Sequence, residues 1–473
     1  MSDLRDDLVR RFSIDEAMTW ANKLAFFLSA VIVVFTTLAY GAVHQPVLAV
    51  FYLLVSFTVL LWAADGFFSG AVRMSKDLLP FAFLAAAAYG FIQIIPFGTL
   101  AEVAGINGIP RMLTMDPFAT RECAIHFLTL FFFLSVLIVL LDSASRIRRV
   151  VGAITILGFA YSFFAILQAV LSPTKIYGLY EASRSFGSFV NPNNYAAFIE
   201  MAVAVPMGLI FTGAVVKDKR LLYVTAIALM AVSLLLSGSR GGLIAFIAEI
   251  ILLVLLTTGT KSRSKLALKL GLAALLFVSV IAGAIYVGGE TSLTRMADTA
   301  QAGDLTTGRS NIWSVTLDVI KDNLPFGAGF GAFGVAYTAH DAMSGLERVE
   351  QSHNDYLQVL ADAGIVGALI GLFFLFRLFV AGKAATGIRN DYRRGVAVGA
   401  LAGIFAILVH SVFDFVLHTT AISVMFLVLI SLLVASRNSF ADDIEDEHHE
   451  RSIHRSAGSV SSISSGRKRI GRR

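Results

Sequence analysis

The chain has 473 residues, 56% of them hydrophobic and 15% charged, with a mean hydropathy of +0.75. That composition excludes a soluble globular or disordered chain and reads as an integral membrane protein. A single Cys123 excludes an intramolecular disulfide, no Cys/His grouping has zinc spacing, and the net charge of +5 is a topology signal rather than the footprint of a nucleic-acid partner.

About twelve apolar runs are long enough to cross ~30 Å of hydrocarbon as helices. They fall near 24–40, 46–64, 78–95, 124–141, 149–171, 196–215, 220–236, 241–257, 266–286, 357–380, 395–413 and 417–435. The expected fold is therefore an all-α polytopic membrane protein. The first run is too long for a signal-peptide core and should remain as a helix. Only about nine of the 38 Lys and Arg residues fall on the side opposite the N-terminus, and four of those nine lie in one long loop. Both termini are accordingly expected in the cytoplasm. This divides the chain into a cytoplasmic segment 1–23, nine spans over 24–286, a periplasmic loop 287–355, three spans over 356–436, and a basic, Ser-rich, disordered tail 437–473 suited to lipid headgroups.

The polar residues follow in chain order. Arg184, Arg240 and Arg309 stand on the expected external face, where cations are scarce. A guanidinium fork suits a diphosphate, and the alternative is snorkelling to headgroups or pairing with a loop carboxylate. The glycine-rich settings Ser237-Gly-Ser-Arg240-Gly-Gly and Thr306-Thr-Gly-Arg309-Ser favour a ligand, whereas the surroundings of Arg184 alone favour the alternative. Asn191-Pro-Asn-Asn194 begins a span as an Asx cap would. Glu249 lies mid-span, where a carboxylate must be protonated or paired. It is either a packing residue or part of a proton relay.

Within the long loop, Ile312, Val315, Val319 and Ile320 share a face at helical spacing, which predicts an amphipathic helix on the membrane or over a cavity mouth. Gly329-Phe-Gly331-Ala-Phe-Gly334 spells G-x-G-x-x-G, but no βαβ unit surrounds it. A tight turn with backbone N–H groups offered to an anion is the expected role. His353-Asn354-Asp355 then opens a long apolar run. A histidine beside a capping amide and a carboxylate is the first choice for an active site, against the alternative of a loop histidine next to a helix cap. Arg377 should snorkel at the far end of that run. His410, Asp414 and His418 bracket the last external turn, with His410 and Asp414 at i, i+4, either to orient the site or to cap a helix end.

Taken in order, Ser-Gly-Ser-Arg240-Gly-Gly, Gly308-Arg309 with Trp313, Pro325-Phe-Gly-Ala-Gly, and His353-Asn-Asp-Tyr-Leu-Gln through Gly364-Ile-Val-Gly367 resemble the O-antigen ligase and polymerase superfamily of bacterial envelope glycosyltransferases. The likeness is strongest over about 185–415, including Phe189-Val-Asn-Pro-Asn-Asn194 and His410-Ser-Val-Phe-Asp414, with Gly41-Ala-Val-His44 a faint further echo. The resemblance implies a GT-C-like, metal-independent, inverting transferase of the inner membrane with no cofactor. Its partners would be an undecaprenyl-diphosphate-linked glycan donor and a glycan, lipid A core or protein acceptor. On the motif match Arg240 and Arg309, with Arg184 as a third, hold the donor diphosphate. His353 is then the catalytic or acceptor-orienting residue, supported by Asn354, Asp355, Asn191, Asn194, His410 and Asp414. A transporter or flippase would also suit twelve spans, but transporters bind at the midplane between paired repeats, and the polar residues here cluster at one mouth.

Overall fold

A computed structural model describes residues 18–100, 105–172, 174–181, 186–257, 309–341 and 348–438. Five membrane-length helices and one short one come first: α1 (Trp20–Leu38), α2 (Gln45–Ser69), α3 (Pro80–Gln93), α4 (Pro117–Leu140), α5 (Ala144–Leu171) and, after a hairpin, α6 (Pro192–Thr212). That hairpin pairs β1 (Lys175–Ile176) with β2 (Tyr180–Glu181) antiparallel. Then follow α7 (Arg220–Leu236), α8 (Arg240–Thr257), α9 (Arg309–Asn323), α10 (Phe333–Thr338), α11 (Asp355–Ala385), α12 (Asp391–His410) and α13 (Thr420–Ala435). The protein is an all-α polytopic membrane protein. Among the described residues nine helices are long and apolar enough to cross a membrane, and α3 and α13 are shorter apolar ones. These eleven coincide with eleven of the expected spans. The span at 266–286, Arg184, residues 258–308 and 342–347, and the tail beyond 438 lie outside the described residues.

Helix starts are fixed by side chains that satisfy the first N–H groups, as a lipid setting demands. Thr19, Asp116, Ser143, Asn191, Asn354 and Asn390 each accept from backbone N–H groups of the helix that follows. The centre of the bundle is built from α6, α12 and α13. Every residue of α13 is buried, so a 16-residue helix suffices there because protein rather than lipid surrounds it. Helices α6 and α12 touch backbone to backbone along Gly395, Gly399 and Gly403, spaced by four. A Cβ at Gly399 would stand 2.6 Å from the Ala204 carbonyl oxygen, and one at Gly208 2.4 Å from that of Gly395. Small residues at this spacing allow the close approach that drives helix association in lipid. The seam brings the start of α6 beside the end of α12.

Helix α11 is interrupted. Gly364 has φ 57° and ψ −143°, so Ile365 N–H turns away from its own helix and donates to Pro325 O at 2.9 Å. The freed carbonyls of Ala361 and Asp362 accept from Ala328 N (2.8 Å) and Gly329 N (2.9 Å), while Gln93 and the Asp362 carboxylate accept from Phe330 N and Gly331 N at 3.0 and 3.2 Å. The glycine run is therefore a splice across a broken helix. Its N–H groups meet the chain's own acceptors, which corrects the expectation that they await an external anion. Glycine is required at 364 and 327, since a Cβ would lie 2.2 Å from Pro325 O and 2.4 Å from Ala363 N respectively. The amphipathic helix also differs from expectation. Val315, Val319 and Ile320 of α9 pack with Phe333, Ala336, Tyr337 and Ala361, so its apolar face covers α10 and the start of α11 rather than the membrane.

Candidate active site

The site is assembled from helix starts and turns at one end of the bundle. Asp414 is its centre. The carboxylate lies in the turn between α12 and α13, is 2% exposed, and accepts from three elements at once. His353 Nδ1 donates to Oδ1 at 3.0 Å, Arg309 Nη2 to Oδ2 at 3.1 Å, and Asn193 Nδ2 also to Oδ2. Arg309 further donates to Phe413 O, and Phe415 N to Asp414 Oδ1 at 3.0 Å. Burial alone would raise this carboxyl's pKa. The His353 hydrogen bond and the Arg309 charge outweigh it and hold Asp414 below the usual carboxylate range.

His353 sits just before the cap of α11 with φ 53°, a left-handed conformation that is costly for a side chain of this size. The turn is over-determined on both sides. Trp313 Nε1 of α9 donates to Ser352 O at 3.0 Å, Ser352 N to Gln358 Oε1 at 2.7 Å, and the Asn354 cap donates its own Nδ2 to Val412 O at 3.0 Å. The Phe415 ring meets the imidazole edge-on with centroids 4.8 Å apart. An ionised carboxylate only accepts, so a hydrogen resides on Nδ1, and the lone pair of the neutral ring falls on Nε2. With the side chain 31% exposed, that lone pair is reachable from outside.

Asp355 does not share the capping role with Asn354. Buried at 7%, it accepts from Ser411 Oγ (2.7 Å) and His418 Nδ1 (2.9 Å), fastening the start of α11 to the same turn. Burial opposes the charge on His418, but the Asp355 carboxylate wins and raises its pKa. Asn191 caps α6 through Asn193 N at 2.8 Å, and Asn194 donates to Thr419 Oγ1 at 2.7 Å. Both are clamps of the turn; the member of that motif that reaches Asp414 is Asn193, which sequence reasoning had passed over.

His410 and Asp414 stand one turn apart as expected but serve different partners. His410, the last residue of α12, is fully buried and its Nδ1 lies 3.0 Å from Glu200 Oε1 of α6. Glu200 was missed, although a carboxylate inside an apolar span was as visible there as at Glu249. Glu249 itself is buried with neither oxygen hydrogen-bonded among the described residues. Arg377 does not simply snorkel: it lies 3.9 Å from Asp77 at the opposite end of the bundle.

Arg240 and Arg309 are brought to the same turn in different states. Arg309 is tied to Asp414 and Phe413. Arg240, first residue of α8 after the Ser239 cap, is exposed and has no side-chain partner among the described residues. Its neighbour Gly241 presses on the turn so closely that a Cβ would lie 2.8 Å from His410 Cδ2 and 3.3 Å from Phe413 Cβ. The helix start that carries Arg240 thus packs on the turn that carries Asp414. Arg184 lies outside the described residues.

Residues 225–372 match the family model described as O-antigen ligase. The chain carries an O-antigen ligase domain. The matched stretch includes Arg240, Arg309 and His353, whereas Asn193 and Asp414, which complete the hydrogen-bonded set, come from outside it. An O-antigen ligase domain implies a membrane enzyme of the ligase or polymerase type, working on a lipid-linked glycan and an acceptor. No curated protein matches the chain.

Proposed function

We propose that the protein transfers a glycan from an undecaprenyl-diphosphate carrier to an acceptor hydroxyl, at the periplasmic face of the inner membrane with both termini cytoplasmic. The observation that carries this reading is the Arg309–Asp414–His353 set with Arg240 free beside it. Asp414 fixes the imidazole with its hydrogen on Nδ1, leaving Nε2 to accept the proton of the attacking hydroxyl. Arg240 offers the planar fork that a leaving diphosphate needs, stabilising the charge that develops as the sugar–oxygen bond breaks. Arg309, already bound to Asp414, positions that carboxylate and adds its charge from behind. A single displacement by the hydroxyl inverts the sugar carbon, and the scheme draws on no metal. A second glycan's end, a lipid A core and a protein each present the hydroxyl that this chemistry uses as acceptor.

Besides its many spans, the chain shares with transporters, among the described residues, the broken helix α11. Its freed backbone groups are taken up by the glycine splice rather than presented to a cavity, which favours the transferase over the flippase. Transfer from a purified lipid-diphosphate donor tests the reading. Arg240→Lys keeps the charge but loses the fork, so it should lose most of the activity, and Arg240→Ala nearly all. Full activity of the Ala variant would remove Arg240 from the site.

A further inference from the structure

Four non-glycine residues among those described adopt left-handed φ: Tyr40 (57°), Ala42 (54°), Tyr177 (55°) and His353 (53°). Strain of this kind persists where the surroundings hold a side chain in place for use. His353 belongs to the site above. The other three converge on a single aromatic patch at the same end of the bundle. Tyr40 and His44 lie in the α1–α2 connection, Tyr177 and Tyr180 in the β1–β2 hairpin. Ring centroids are 5.5 Å apart for Tyr40–His44, 5.7 Å for Tyr40–Tyr177, 5.5 Å for Tyr40–Tyr180 and 5.3 Å for His44–Tyr180. Tyr177 is fixed further by its hydroxyl, which donates to Leu38 O at 2.6 Å, yet it and Tyr180 remain 40% and 36% exposed.

The patch is coupled to the reacting turn. Gly41, between Tyr40 and Ala42, leaves no room for a side chain: a Cβ would lie 2.7 Å from the Phe189 ring and 3.1 Å from Thr419, the residue that Asn194 grips. We propose that the Tyr40–His44–Tyr177–Tyr180 patch is a sugar-binding platform that stacks a neutral pyranose ring of the glycan beside the point of transfer. This rests on the transferase reading and adds a subsite to it.

Three properties select that ligand. Exposed aromatic faces carry partial negative charge and receive the C–H face of a pyranose, while the hydroxyl rim of the sugar meets polar tips. His44 packs against both Tyr40 and Tyr180, so the four rings form one continuous aromatic surface. Among the described residues the hairpin's charges pair with each other, Lys175 lying 3.5 Å from Glu181, which favours an uncharged ring on the patch. A membrane-interface aromatic belt would need neither the strain nor the ring-to-ring clustering.

The test uses the full-length protein in nanodiscs and three lipid-free neutral tetrasaccharides, built of hexose, N-acetylhexosamine and deoxyhexose, with saturation-transfer NMR as readout. At least one should bind. Tyr180→Ala, an exposed position whose loss leaves the bundle intact, should weaken that binding at least fivefold, and Tyr180→Phe should stay within twofold. His353→Ala should bind as the parent does, which separates this subsite from transfer: failure of the transferase reading appears as absent turnover by the parent itself with sugar binding retained. Absence of binding by all three sugars, or equal binding by Tyr180→Ala and the parent, overturns the proposal.

Discussion

Two buried aspartates, one at each end of the bundle, show how the same residue is used to hold and to work. Asp77, just before α3, is gripped by Arg437 at 3.0 Å and approached by Arg377 at 3.9 Å, and it accepts from Leu79 N at 3.0 Å. All its partners are permanently charged or backbone. Around it, Arg146 is buried against Asn22, Asp142 and the Leu140 carbonyl, and Asn22 donates to Asp65, so that end is a closed polar clasp. Asp414 takes one arginine, but another partner is a histidine in a strained backbone conformation, with one ring nitrogen left over. A titratable partner and an open nitrogen are what a clasp lacks. On the proposed reading, one end carries stability and the other chemistry.

The largest expected contrast comes from the matched pair of neutralising substitutions. Asp414→Asn should lower turnover by about 10²–10⁴, because an amide no longer fixes the Nδ1 hydrogen of His353 or supports its charge. Asp77→Asn should leave turnover within a few-fold while lowering stability by about 1–3 kcal/mol, a loss moderated by the partial exposure of both arginines. Melting curves and transfer rates on the two purified variants decide it; equal effects on turnover would erase the distinction between the ends.

Gly241→Ala sharpens the same contrast within the site. Its new methyl must displace His410 or Phe413, and overpacking of this kind costs about 1–3 kcal/mol. The shift falls on the turn that carries Asp414, so turnover should drop further than stability predicts.

Smaller effects are expected from pH. Asp414 has a depressed pKa, so its contribution to stability is present above the ordinary Asp value of ~3.9 and is lost as pH falls through the lower folded value. Melts from pH 6 to pH 3 should show a shallower acid decline in Asp414→Asn than in the parent. His418 has a raised pKa, and the sign reverses: its contribution is full below ~6.5 and is lost as pH rises through the folded value. His418→Gln should flatten the alkaline decline between pH 6 and pH 9.

Much of the architecture is legible in the sequence because lipid enforces it. Apolar runs and Lys/Arg asymmetry are local properties, and eleven of the expected spans coincide with described helices. Individual residues of the candidate site stand out for a related reason: Arg240, His353 and Asp414 are polar groups next to apolar spans, where polar groups are costly. Their pairing was not visible. Which of three asparagines in Asn191-Pro-Asn-Asn194 reaches Asp414, and that Glu200 meets His410, depends on the α6–α12 glycine seam, a contact between residues about 200 positions apart. The glycine run misled for a similar reason. Its exposed-looking N–H groups are satisfied only because Gly364 breaks a helix that hydropathy reads as continuous.

The central claim is that His353 acts on the reacting hydroxyl while the fold and the donor contact are carried by others. Purified parent and His353→Ala are compared for binding of a lipid-diphosphate donor, thermal stability and transfer. The Asn354 cap and the Asp355 contacts that hold the start of α11 are untouched, so the variant should melt within a few degrees of the parent, bind donor within a few-fold, and transfer slower by about 10²–10⁴. Transfer within a few-fold of the parent, with donor binding intact, would contradict the account.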